Sequence, residues 1–234
     1  MNTRPSVIVF DVNETLSDMS PMNARFVDVG APAYLARVWF AGLLRDGFAL
    51  AAAGDSEKFA VIGAEALRGL LRDVATNRGM EEAVDHIMGG LAELELHPDV
   101  ATGVWALKAA GFRLVTLSNG STQVAERLLT TSGTRSEFEM LLSVEDASAW
   151  KPVRAAYEYA ADVCRVRPEE MLLVAVHPWD IHGASRAGMH TAWLNRAGER
   201  YPGYFATPDD TIRALSDLAV LLRHPNREGR ADED

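Results

Sequence analysis

The sequence predicts an α/β protein: a Rossmann-like core built on a parallel sheet, with a helical cap subdomain inserted after the first strand. Three observations lead there. Short apolar runs alternate with helical periodicity from Val100 onward. From Pro21 to about Leu96 only helical periodicity is found, with no convincing strand. Several apolar runs also end in polar turns, and parallel strands gather such turns at one edge of a sheet. The expected boundaries are residues 1–16 and 97–223 for the core, 17–96 for the cap and 224–234 for a charged, disordered tail.

The elements follow in order. Residues 6–10, with Val7-Ile8-Val9-Phe10, form an evenly apolar run suited to a buried strand and closed by Asp11. Met19, Pro21 and Met22 read as the linker into the cap, with apolar lining of a pocket as the alternative. Ala33 to Leu50 places apolar residues at helical spacing, and Lys58 to Val74 repeats this with Ile62, Ala66, Leu67 and Leu70. Glu81 to Leu94 is a third helix, preceded by turn residues Asn77-Arg78-Gly79. Trp39, Phe40 and Phe48 read as cap core, with one of them a candidate pocket wall.

After His97-Pro98 the texture changes. Val100 to Ala110 is helical and ends at Gly111. Strands are expected at 112–117, 139–144, 171–176 and 190–195, and helices at 123–129, 152–166, up to 188, and 211–222. The crossovers of such a sheet are right-handed.

Composition narrows the function. The 234 residues are 48% hydrophobic and 24% charged, ordinary for a soluble globular protein. A net charge of −10 argues against a nucleic-acid binder, because phosphate binding needs a basic surface. The single cysteine, Cys164, cannot pair within the chain and fits a reducing cytosol. The start of the chain lacks a signal-peptide layout and no run reaches the roughly 18 apolar residues of a membrane span, so a cytoplasmic protein without membrane contact is expected.

Chemistry is expected where the strands end: Asp11 to Thr15, Ser118-Asn119-Gly120, and His177 to Asp180, with Lys151 ahead of the helix at Pro152. Asp11 alone reads either as a turn aspartate or as a nucleophile. The four turns together, spaced for successive βα units, favour a site. Two positions after Asp11 stands Asn13, whose amide cannot act as an acid or base.

These residues carry a resemblance. Phe10-Asp11-x-x-x-Thr15-Leu16, Leu117-Ser118-Asn119-Gly120, Lys151-Pro152 with Tyr157, Trp179-Asp180-x-x-Gly183-Ala184 and Trp193-x-Asn195-Arg196 resemble the haloacid dehalogenase superfamily, and within it the hydrolytic (S)-2-haloacid dehalogenases. The likeness covers all but the charged tail. It implies the fold of that superfamily and a metal-independent hydrolase in which Asp11 attacks a substrate carbon, displaces the leaving group and forms an ester that water cleaves. It also implies that Thr15, Ser118 and Asn119 orient the carboxylates and substrate. Lys151 then keeps Asp11 ionised, Tyr157 contributes a hydroxyl, and Asp180 holds Lys151 or activates water. Trp179 becomes a pocket residue. Related enzymes are commonly dimers, which implies a homodimer. The implied partners are a small carboxylate substrate and water, with no cofactor.

The chain also departs from that pattern. Phe40 falls where the family has an arginine that grips the halogen, leaving Arg37, three residues before, and Arg45, five after, as candidate replacements. Ala175 and His177 stand where a serine and an asparagine are usual. His177 reads as a base, a substrate contact or a backbone cap. The expected substrate is a small 2-haloacid, with fluoroacetate included. The alternatives are another 2-substituted acid, such as azetidine-2-carboxylate undergoing ring opening, a Mg²⁺-dependent phosphatase of the same superfamily, and a non-catalytic binding module. A phosphatase of the family carries an aspartate where Asn13 stands, to protonate an alkoxide that leaves poorly without help worth about 10²–10⁴-fold.

Overall fold

The computed structural model describes residues 5–147 and 149–223, so the expected tail lies outside the described residues. Its elements are β1 (Val7–Phe10), α1 (Met22–Asp28), α2 (Leu35–Ala53), α3 (Phe59–Leu71), α4 (Met80–Gly90), α5 (Val100–Ala109), β2 (Arg113–Ser118), α6 (Thr122–Thr131), β3 (Met140–Ser143), α7 (Val144–Ala147), α8 (Arg154–Cys164), β4 (Met171–Ala175), α9 (Pro178–Ala187), β5 (His190–Leu194), β6 (Asp210–Ile212) and α10 (Leu215–Arg223). All the strands pair in parallel, in the order β3-β2-β1-β4-β5-β6.

The apolar runs form strands because both faces of this sheet are covered. Side chains alternate by face. Val7 and Val9 of β1, with Val115, Leu117, Leu173 and Ala175, join an apolar cluster that also holds α1 to α4, α8 and α9. Ile8 and Phe10, with Leu114, Leu172 and Val174, join a second cluster beneath α5, α6 and α10. The strand order reverses at β1, which lies between β2 and β4, so a crevice opens at its carboxyl end.

Among the described residues the segment between Ser17 and Leu96 is helical, apart from a single antiparallel bridge between those two residues. Asp18 N also donates to Glu95 O and His97 N to Leu16 O, so the way in and the way out run side by side. Trp39 pins α2 to α3 by donating its indole N–H to Gly63 O over 2.9 Å. No helix among the described residues is long and apolar enough to cross a membrane.

Three elements differ from the sequence reading. The expected linker at Met22 is α1, which buries Met22 and Phe26; seven residues are too few for periodicity to register. The expected helix from Thr211 begins only at Leu215, because Asp210–Ile212 adds β6 to the sheet edge. Val144–Ala147 is a helical turn at the end of β3 rather than the end of the strand.

Candidate active site

β1 ends at Phe10, in register with Val174 of β4, and the Asp11 N–H still donates to Val174 O at 3.1 Å. The chain then leaves the sheet, and the Asp11 carboxylate is fixed at the crevice, 3% exposed. Thr15 returns from the turn and donates to Asp11 Oδ2 at 2.6 Å, while its hydroxyl oxygen accepts from Val176 N at 3.1 Å. Lys151 enters from beyond β3 and is wholly buried. Its Nζ lies 2.8 Å from Asp11 Oδ1 and 2.6 Å from Asp180 Oδ2. One ammonium therefore serves two buried carboxylates.

Other side chains hold this group in place. Asn119 grips the Lys151 peptide, accepting from its N–H at 2.9 Å and donating to its carbonyl at 3.3 Å. Ser118 Oγ accepts from Gly120 N at 2.9 Å and shapes that turn. Tyr157 is buried, and its hydroxyl donates to Asp180 Oδ1 at 2.7 Å. Asn119 and Tyr157, expected to contact substrate, are thus bonded to Lys151 and Asp180. Trp150, beside Lys151, stacks on Phe59 at 6.1 Å and donates to Glu57 O.

Charges follow from these contacts. Burial pushes the Asp11 carboxyl up, but the Lys151 charge, the His177 ring and the hydrogen bonds from Lys151 and Thr15 outweigh it, leaving the pKa below the usual aspartate value. Asp180 goes the other way: burial, joined by the Asp11 charge, overcomes Lys151 and raises it. Burial lowers Lys151, but the two carboxylates more than restore it. Asp11 is the better acid of the pair, hence the better ionised.

A cleft of about 510 Å³ has Glu14, Arg37, Phe40, His97 and His177 among its walls, and His177 is the wall that meets Asp11. His177 Nε2 lies 3.6 Å from Asp11 Oδ2. Its ring stacks on Trp179 at 5.0 Å and lies 6.4 Å from Phe40. Trp179 also faces Lys151 Nζ, 5.9 Å from the ring centre. Asn13 turns its amide toward Gly120: a Cβ there would lie 3.6 Å from Asn13 Nδ2. Arg45 does not reach this cleft. It pairs with Asp46 at 2.8 Å and lines a separate groove between α2 and α3. Helix geometry gives the reason: at ~100° per residue Arg37 lies about 60° round α2 from Phe40, and Arg45 about 140°. Among the described residues, Arg37 has no carboxylate partner.

The sequence reading left Trp150 and Gly183 without a role of this kind. Gly183 brings α9 against the catalytic group: a Cβ on it would lie 2.5 Å from the Tyr157 hydroxyl and 2.9 Å from Pro152 O. Gly183→Ala is expected to displace Tyr157 from Asp180, costing about 1–3 kcal/mol of stability and lowering turnover. A denaturation midpoint and a rate measured together check this; an unchanged pair of values would show that the contact relaxes freely.

A buried carboxylate held ionised by a lysine, beside a histidine of the cleft wall, is equipped to attack an electrophile. Carried at the end of β1, under a helical insertion, it defines the class of aspartate-based hydrolases with a Rossmann-like core. The sequence profile of the haloacid dehalogenase-like hydrolases matches residues 5–188. (S)-2-haloacid dehalogenase 4A of Burkholderia cepacia is 31% identical over 218 residues, covering 92% of this chain and 93% of that protein. Haloacetate dehalogenase H-2 of Moraxella sp. (strain B) is 36% identical over 129 residues, 55% of this chain and 58% of that one. A solved dehalogenase with an intermediate complex superposes with a TM-score of 0.86 at 29% identity, covering 94% of this chain and 98% of the other. The chain belongs to the haloacid dehalogenase-like hydrolases.

Proposed function

We propose that this protein is a hydrolytic dehalogenase that cleaves the carbon–halogen bond of a small 2-haloacid through an ester on Asp11, without a metal. The observation that carries this reading is the position of Lys151 Nζ, bonded to both Asp11 and Asp180. The family's phosphatases need a hard cation beside the nucleophile to offset phosphate charge. Here a lysine ammonium lies against one oxygen of each buried carboxylate, and Asn13 removes the acid that an alkoxide leaving group requires. A halide departs without that acid. Among the described residues no three His, Cys, Asp or Glu side chains are grouped to hold a metal ion. The unpaired Arg37 on the cleft wall suits a carboxylate substrate, and the full-length relative named for (S)-2-haloacids supports the same class.

The test is halide release from chloro-, bromo- and fluoroacetate and both 2-chloropropionates, each with and without a chelator. The expected result is release from at least one substrate, unchanged by EDTA. No release from any, or a rate abolished by the chelator, would overturn the reading.

A further inference from the structure

The bond formed at Asp11 has to be broken again, and the two steps make different demands. In the first, a carboxylate oxygen attacks the substrate carbon in line with the leaving group, which lies on the carbon's far side. In the second, water attacks Asp11 Cγ. The oxygen that made the attack then leaves with the product as its hydroxyl, and it needs a proton as it goes.

Asp180 is held by its neighbours. Its Oδ2 accepts from Lys151, its Oδ1 accepts from Tyr157, and it is fully buried. His177 is placed well. Its Nε2 is surrounded by Asn13 O at 3.2 Å, Asp11 Oδ2 at 3.6 Å and Glu14 Oε2 at 3.7 Å. None of these oxygens has a hydrogen to give when the carboxylates are ionised, so the nitrogen carries one and acts as a donor. Two contacts hold its loop: Val176 N donates to Thr15, and Trp193 Nε1 donates to Val176 O at 2.9 Å.

The Asp11 oxygens are distinguishable. Oδ1 is turned to the buried Lys151, while Oδ2, which also accepts from Thr15, is turned to the ring on the cleft wall. Oδ2 is thus the attacking atom and the one that leaves with the product. Nε2 lies beside this oxygen, whereas the leaving group departs on the far side of the carbon, so its place suits the departing oxygen of the second step better than the halide of the first. Glu14 completes the arrangement. Its φ of +61° is unusual for a residue with a side chain, and its carbonyl accepts from His97 Nε2 at 3.0 Å. That turn sets a solvent-touching carboxylate, 42% exposed, beside the same His177 nitrogen.

We infer that His177 is the general acid of ester hydrolysis and that Glu14 restores its proton. The inference rests on the Asp11 ester of the proposed function. Water adds to Cγ and gives one proton to Glu14. The Cγ–Oδ2 bond breaks, and the protonated His177 ring donates to Oδ2, which departs as the product hydroxyl. Glu14 then returns its proton to His177. The second water proton goes to solvent, matching the halide released earlier, and the water oxygen stays on Asp11.

Rapid-mixing halide release with His177→Gln, followed by intact-protein mass spectrometry, tests this. The variant is expected to release one halide per active site at the wild-type rate and then turn over about 10²-fold or more slowly, with alkylated protein accumulating. Glu14→Gln should give a milder form of the same pattern. The amplitude of the first phase counts folded sites, so a folding loss lowers that amplitude without mimicking a slow second phase. Wild-type steady-state turnover in His177→Gln, or slowing of its first phase in step with turnover, would overturn the inference. Failure of wild-type protein to release halide would instead overturn the function itself.

Discussion

Asp11→Asn is expected to lower turnover by about 10⁴-fold or more while leaving the fold intact. The substitution is nearly isosteric. The amide oxygen can accept from Lys151 as Oδ1 does, and the amide nitrogen can donate to Thr15, whose hydroxyl oxygen stands 2.6 Å away. What disappears is the negative charge that attacks carbon. Halide release and a thermal melt on the same preparation check both halves. Turnover within tenfold of wild type would exclude an Asp11 ester.

The second large effect is expected from Lys151→Met. The side chain is close in volume, but two buried carboxylates then face each other with no cation between them. Removing one partner of a buried ion pair typically costs about 3–5 kcal/mol, chiefly because a charge stays behind unpaired. Activity should vanish as well, since Asp11 loses the charge that most strongly holds it ionised. The pH dependence has a definite sign. The Lys151 pKa is raised in the folded state above the ordinary 10.5. Its contribution to stability is therefore fully present below that value and is lost as pH rises through the higher folded pKa. Chemical denaturation across the alkaline range should show wild type losing more stability than the variant. Parallel losses would mean that Lys151 is not the group responsible.

Much of the fold and of the candidate site is legible in the residues. A parallel sheet covered on both faces writes itself as evenly apolar runs, and β1, β2 and β4 read that way. Because strands in register deliver their ends to one edge, the turns at Asp11, Ser118 and Asp180 are expected together from spacing, and Asp11, Lys151 and Asp180 do meet there. Partner choice is less legible. A hydroxyl at position 157 or an amide at 119 reads the same whether it meets substrate or a neighbouring side chain, and here packing turns them toward Asp180 and Lys151. The short elements α1 and β6 carry too few residues for either period to emerge. Arg37 and Arg45 could have been separated beforehand by angle round the helix, a signal the spacing already contained.

Trp150 has one more consequence. Its ring fills the space left by Gly47 of α2, where a Cβ would come within 2.4 Å, and its indole is tied to Glu57. The next residue is Lys151. The helical insertion is therefore anchored to the residue next to Lys151. Melting the insertion separately would strip Trp150 of its partners and loosen the cation that lies between two buried acids. The two parts are therefore expected to unfold as one cooperative unit, with activity lost in the same transition.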